Sequence, residues 1–143
     1  MREPILRRVD GFPFVYRDTV RYRDADAFGH VNNAVYLTYL EDARNAWLQE
    51  LGLVRGVADI AMILARVEID YRSQLEIGEE VEVGVRCARI RTKSFDLEYE
   101  LRAAGGLVAE ARTVLVGFDY ERNGSAPLPD RWRAALAPAG LTG

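Results

Sequence analysis

Two aspartates, Asp24 and Asp26, the lone histidine His30 and two asparagines, Asn32 and Asn33, fall within ten residues, immediately ahead of an apolar periodic run. A carboxylate facing a substrate acts as a general base or as a nucleophile. A helix start exposes unpaired backbone N–H groups at the positive end of its dipole, so it can hold a developing oxyanion or an anionic ligand. Together they suit attack on a carbonyl. The same residue types also make turns and helix caps, and spacing alone does not separate the two roles.

A second stretch carries charge where a core is expected. Val81, Val83, Val85 and Cys87 share one parity, which continues as Arg89, Arg91 and Lys93 before becoming apolar again at Phe95. A core does not accept three unpaired cations. Either a bulge turns the strand face, or the hairpin runs past the core and offers a basic tip to solvent or to a ligand. Three cations so close together suit a polyphosphate.

The elements that must position these groups follow from composition and periodicity. The chain has 143 residues, 49% of them hydrophobic, as one domain with an ordinary core requires. A net charge of −3 argues against bulk binding to nucleic acid or an anionic membrane, so any cationic site is local. The single cysteine, Cys87, allows no internal disulfide and no cysteine-rich zinc site, and reads as a small buried hydrophobe. No apolar run approaches a membrane span and the N-terminal residues lack a signal-peptide core, so a cytoplasmic protein is expected. All of the 19 cations except Lys93 are arginine, a skew more typical of genomic base composition than of function.

Residues 1–13 read as an irregular lead-in. Phe14, Tyr16, Val20 and Tyr22 share one parity against Arg17, Arg21 and Arg23, which predicts a first strand from Phe14 to Tyr22. After the polar elbow, Tyr36, Tyr39, Leu40, Ala43, Trp47 and Leu51 recur at helical spacing, with Glu41, Asp42, Arg44, Asn45, Gln49 and Glu50 between them. Gly52 stops this helix of about five turns. A loop over 53–59 follows, then strands over 60–71, 81–87 and 95–102 and from Leu107 to about Phe118. Turns fall at Ile77–Glu80 and at Ala104-Gly105-Gly106, the latter suited to positive φ. A short helix, Asp130 to Leu136, closes the pattern. Strands joined by short turns run antiparallel and leave one sheet face to be covered, and the long helix is the only candidate cover. The sheet edges stay open to a second copy, so a homodimer is expected.

The run Tyr22-Arg-Asp-Ala-Asp-Ala-Phe-Gly-His-Val-Asn-Asn-Ala-Val-Tyr-Leu-Thr-Tyr-Leu-Glu-Asp-Ala-Arg44 resembles the signature of hotdog-fold acyl-CoA thioesterases of the 4-hydroxybenzoyl-CoA thioesterase type. The likeness continues through Val67 to Tyr71, the turn Leu75-Glu-Ile-Gly-Glu-Glu-Val81, and Arg91-Thr-Lys-Ser-Phe95, which is similar to a family segment contacting coenzyme A. The resemblance implies an α+β hotdog domain over residues 1–143, an antiparallel sheet of about five strands wrapped around one long central helix. It implies dimers or tetramers with active sites between subunits.

Carried over residue by residue, the resemblance makes Asp26 the nucleophile or general base and the Asn33 N–H the donor that polarises the thioester carbonyl. Lys93 and Ser94 match positions that contact coenzyme A, with Arg89 and Arg91 beside them for its phosphates. Met62, Ile63 and Leu64, up to Ala65, match a stretch lining the acyl or pantetheine channel. His30 would shape the elbow or hydrogen-bond near the substrate, and Tyr36 would lie on the substrate side. Glu41 reads as one half of a structural salt bridge. No metal or redox cofactor is implied, coenzyme A being part of the substrate. The alternatives are an acyl-CoA-binding protein without turnover and a dehydratase of the same fold. The latter is expected to carry Asp-x-x-x-x-His on a helix, whereas Asp26 and His30 precede the helix here. Phe28, Tyr36, Tyr39 and Trp47 suit an aromatic or an aliphatic acyl group.

Overall fold

Period-two alternation builds the sheet and period-3.6 spacing supplies its cover. The computed structural model describes residues 11–54 and 62–137. In chain order these form β1 (Phe14–Thr19), a 3₁₀ turn (Tyr22–Asp24), α1 (Asn33–Glu50), β2 (Met62–Tyr71), β3 (Glu80–Ile90), β4 (Ser94–Ala103), β5 (Gly106–Asp119), β6 (Gly124–Ser125) and α2 (Asp130–Leu136). The strands lie in the order β1-β3-β4-β5-β2, all neighbours antiparallel, and the two-residue β6 adds to the end of β5. β6 and the 3₁₀ turn are too short to carry a period, so spacing gives no sign of either. The expectations for residues 1–10, 55–61 and 138–143 lie outside the described residues.

The inner face carries Val81, Val83, Val85 and Cys87 of β3 beside Phe95, Leu97, Tyr99 and Leu101 of β4, all buried. Helix α1 covers them with Tyr36, Tyr39, Leu40, Ala43, Trp47 and Leu48. This is the expected hotdog arrangement, a sheet around one long helix. Cys87 is buried, as a small hydrophobe is, and burial pushes its thiol up to about 11. Ala104 and Gly105 both take positive φ, 51° and 77°, as a two-residue hairpin needs.

The first strand stops earlier than its alternation suggests. Phe14 and Tyr16 face inward, opposite Val85 and Val83. At Val20 the backbone bonds instead to Gly78 and Glu79, so the chain leaves the sheet and Tyr22 ends up exposed. Val15 is buried as well, on the outer face opposite Gly84. Phe12 folds over that spot, and a Cβ on Gly84 would meet its ring at 2.8 Å.

The parity conflict in β3 is resolved by a bulge. Register shifts between Cys87 and Arg89, which puts Arg89 opposite Asp96 and returns Ile90 to the core beside Phe95. Beyond it the hairpin tip is tied down at Gly117, whose N–H donates to the Lys93 carbonyl at 2.7 Å. The Gly117 carbonyl accepts from Ala126 N–H at 2.9 Å.

A Cβ on Gly117 would stand 2.5 Å from the Ala126 carbonyl oxygen, a backbone atom that cannot swing aside. Gly117→Ala is therefore expected to destabilise the fold by about 1–3 kcal/mol, read by urea denaturation. An unchanged midpoint would show that the β6 crossing yields without cost.

Candidate active site

The elbow is built on Asp24. Its carboxylate Oδ2 accepts from Arg21 N–H at 2.9 Å and from the Tyr39 hydroxyl at 2.8 Å, while its carbonyl accepts from Asn32 N–H at 3.2 Å. Only 8% exposed, Asp24 joins the end of β1 to the first turns of α1. Burial, and then the hydrogen bond to Asp24, push the Tyr39 phenol far above its usual range.

Asp26 faces the other way and is exposed. Its Oδ1 accepts from Phe28 N–H at 2.8 Å and His30 N–H at 3.3 Å, and its own N–H donates to the His30 carbonyl at 2.7 Å. Gly29 closes this loop with φ +82°. The carboxylate is thereby oriented through one oxygen, and Oδ2 has no hydrogen-bond partner among the described residues.

Helix α1 starts at Asn33, where Asn32 caps it by accepting from Ala34 N–H at 2.8 Å. Val35 N–H is taken by the Asn32 carbonyl. The Asn33 N–H has no acceptor among the described residues, so one helix-start donor is free. Asp26, Phe28, His30, Asn33 and Gln74 line one cleft of about 350 Å³. A carboxylate and a dipole-backed N–H on one cleft can attack and polarise a carbonyl. Gln74, between β2 and β3, is a cleft residue that sequence reasoning misses, because a lone glutamine in a loop has no spacing signal.

His30 is half-buried in this cleft, with Nδ1 buried and without a partner among the described residues. Tyr36 lies in the core instead of on the open cleft. Its hydroxyl accepts from Leu75 N–H at 3.2 Å and donates to the Ser73 carbonyl at 3.4 Å. On β2, Met62 is buried while Ile63 and Leu64 are exposed.

At the hairpin, Arg91 holds the buried Asp96 through Nη1 at 2.5 Å and Nη2 at 3.0 Å, so its charge is matched within the protein. Arg89 and Lys93 are exposed, and Lys93 Nζ reaches Ser125 Oγ at 3.5 Å. Ser94 is half-buried, 3.5 Å from Arg91 Nη1. The three-cation cluster is thus two available cations beside an internal ion pair.

Two helix residues depart from expectation. No cation stands within ion-pair distance of Glu41 among the described residues, so the expected salt bridge is not found among them. Arg44, assigned to the polar face, is only 8% exposed and donates through Nη1 to the Tyr99 hydroxyl at 3.3 Å. The helix is wrapped more widely than its apolar stripe predicts. Among the described residues no three His, Cys, Asp or Glu side chains are grouped to hold a metal ion, and no helix is long and apolar enough to cross a membrane.

The family model described as the thioesterase-like superfamily matches residues 20–136. Among solved structures, a thioesterase of Thermus thermophilus, complexed with coenzyme A and zinc, superposes with a TM-score of 0.81 at 37% identity, over 88% of this chain and 98% of that one. A 1,4-dihydroxy-2-naphthoyl-CoA hydrolase of Thermosynechococcus vestitus is 30% identical over 87% of this chain and 88% of its own. The long-chain acyl-CoA thioesterase FadM of Escherichia coli is 27% identical over 82% and 92%. The uncharacterized protein YsmA of Bacillus subtilis is 27% identical, and the chain spans only 60% of its length.

If Asp24 is the joint of the elbow, Asp24→Asn and Tyr39→Phe should each cost about 1–3 kcal/mol, as for a hydrogen bond to a buried charge, in thermal or urea unfolding. The Tyr39 phenol has its folded pKa above the unfolded value of 10.0, so its contribution is present below pH 10 and lost as pH rises beyond it. The alkaline loss of stability should be shallower in Tyr39→Phe. It should not vanish, because Tyr36, Tyr99 and Cys87 are shifted upward too. An alkaline limb identical to wild type would remove Tyr39 from this account.

Proposed function

The chain belongs to the thioesterase-like superfamily, and we propose that it hydrolyses the thioester of an acyl-coenzyme A to a free acid and coenzyme A. The observation that carries this reading is the pairing of the exposed Asp26 carboxylate with the free Asn33 N–H on one cleft. Relatives named as acyl-CoA hydrolases, one for an aromatic and one for a long-chain acyl group, support the substrate class and leave the acyl group open.

In this mechanism Asp26 delivers the attacking oxygen, either its own or that of a water whose proton it takes. The carbonyl oxygen becomes an oxyanion held by the Asn33 N–H and the helix dipole. Collapse expels the coenzyme A sulfur as a thiolate, which takes a proton as it leaves; where Asp26 itself attacks, water then cleaves the acyl–Asp26 anhydride, releasing the acid and restoring the carboxylate. The chemistry runs on the chain's own groups, with coenzyme A as part of the substrate. With one cysteine and an acyl-CoA to cleave, the cytoplasm is the compartment this reading expects.

We place each site between two copies. Met62 sits beside Gly117, which binds the Lys93 carbonyl, and at the other end of β2 the Tyr71 hydroxyl donates to the Asn33 carbonyl. Nine residue steps of strand separate those ends, about 30 Å. The phosphate-binding candidates Arg89 and Lys93 therefore lie far from the elbow of their own protomer. Among the described residues β2 is a sheet edge, bonded only to β5. Antiparallel pairing of two β2 edges about a two-fold axis reverses one strand, so the hairpin of one protomer approaches the elbow of its partner.

Asp26→Asn keeps size and hydrogen bonding but loses basicity, so kcat should fall by roughly 10²–10⁴ with the melting temperature unchanged. A folded Asp26→Asn enzyme working at near wild-type rate would remove the assignment.

Lys93→Ala should raise KM for an acyl-CoA about tenfold and leave KM for the acyl-pantetheine, which lacks the nucleotide phosphates, unchanged. Mixed dimers of Asp26→Asn with Lys93→Ala then contain one intact elbow facing one intact hairpin. A component with wild-type KM should appear on mixing; its absence would put both groups within one protomer.

A further inference from the structure

The hydrolysis proposed above leaves a buried cation on α1 unused. Arg44 is 8% exposed and its only hydrogen-bond partner among the described residues is the neutral Tyr99 hydroxyl, itself 2.7 Å from Thr113 Oγ1. No carboxylate among the described residues lies within ion-pair distance of it. A guanidinium has five N–H donors, and the single bond to Tyr99 leaves most of them for something else. None of the Arg44 nitrogens is both buried and unsatisfied, so the remaining donors reach open space.

That space is a groove between α1 and the inner face of β2. Two cavities, of about 160 and 240 Å³, meet at Glu41, Arg44 and Leu64. The first is closed by Leu37 and Val67, and the second ends against Trp132 and Leu115. Apart from Glu41 and Arg44 the walls are mostly apolar. The helix face that starts at Asn33 continues through Leu37 and Glu41 to Arg44, at spacings of four, four and three residues, which keeps these side chains on one side of the helix.

We propose that this groove receives the acyl group and that Arg44 selects it, favouring an acyl chain with an oxygen acceptor away from the thioester over a plain hydrocarbon of equal length. A hydrocarbon drawn past Arg44 strips water from a guanidinium that has no carboxylate partner among the described residues, and returns no hydrogen bond. An oxygen function accepts from the free donors. A hydroxyl can also donate to Glu41, whereas a carboxylate meets its charge, so both forms offer the shared acceptor and differ in their second contact. The assignment rests on the thioesterase reading for the nature of the ligand, and on the groove for the selecting residue.

The test compares acyl-CoAs of matched length with a methyl, a hydroxyl or a carboxylate at the far end. Arg44 follows Asn33 by three helical turns, about 16 Å of rise, so chains of roughly six to twelve carbons are used. Wild type should show kcat/KM at least about tenfold higher for one of the oxygenated chains than for the plain chain at some length. Arg44→Met, which replaces a buried charge by a shorter, uncharged, flexible side chain and should fold, should erase that ratio. Tyr99→Phe, which frees the guanidinium from its tether and takes a partner from Thr113 Oγ1, should weaken it severalfold.

Equilibrium binding of the same compounds to Asp26→Asn, with and without Arg44→Met, reads selection without turnover. The same preference in binding, lost with Arg44→Met, supports the assignment even if no compound is hydrolysed by wild type, an outcome that would sink the thioesterase reading alone. Equal ratios in Arg44→Met and wild type would overturn it. So would a wild type that prefers the plain chain at every length.

Discussion

Everything at the elbow depends on one buried carboxylate. Asp24 takes hydrogen bonds from the strand end at Arg21 and from the helix at Tyr39, and through its carbonyl it holds Asn32, the residue that caps α1. A carboxylate removed from water is costly unless its lone pairs are used, so Arg21 and Tyr39 must come together for Asp24 to be buried, with Asn32 held at the same point through the carbonyl. Once they do, the direction of α1 relative to β1 is set and the loop from Ala25 to Val31 is pulled into a closed turn. Asp26 then has only the outward direction left.

The division between the two aspartates follows from that constraint. Asp24 is satisfied from several elements and acts as a structural joint, whereas Asp26 is satisfied from its own loop through one oxygen and presents the other. A helix whose cap is supplied by Asn32 also leaves the next N–H, that of Asn33, unclaimed. Carboxylate and donor therefore share a cleft because a single turn serves as strand terminus, loop and helix cap.

The sheet order sets the larger geometry. In β1-β3-β4-β5-β2 the strand following the helix in sequence lies at the far edge, bonded on one side only among the described residues. It runs antiparallel to α1 along a groove, with Tyr71 at the helix start and Leu64 beside Glu41 and Arg44. Helix α1 sits across β1 and β3, and Arg44 lies on its other flank, toward β2, where it is buried by reaching across to Tyr99 of β4. A long polar side chain on that flank covers apolar surface with its stem while its head stays at the groove.

Residue order and spacing determined much of this protein. The strands β3, β4 and β5, the span of α1, the hairpin at Ala104-Gly105 and the short helix α2 each follow from local alternation, helical spacing or turn chemistry, because those signals depend on near neighbours in the chain. The run from Tyr22 to Arg44 likewise pointed to the family, and the fold places its Asp26 and Asn33 on one cleft. Other features required the fold. That Asp24 is the buried aspartate depends on Tyr39, fifteen residues away. That Arg91 is neutralised depends on Asp96 across a hairpin, and that the cations turn outward depends on a bulge whose position is a matter of register between β3 and β4. Arg44 is the clearest case: its spacing on the helix is that of a solvent-facing residue, and only the packing of α1 against one half of the sheet brings it to Tyr99 and the groove, since burial is a property of what lies opposite a side chain and not of the residues beside it in sequence.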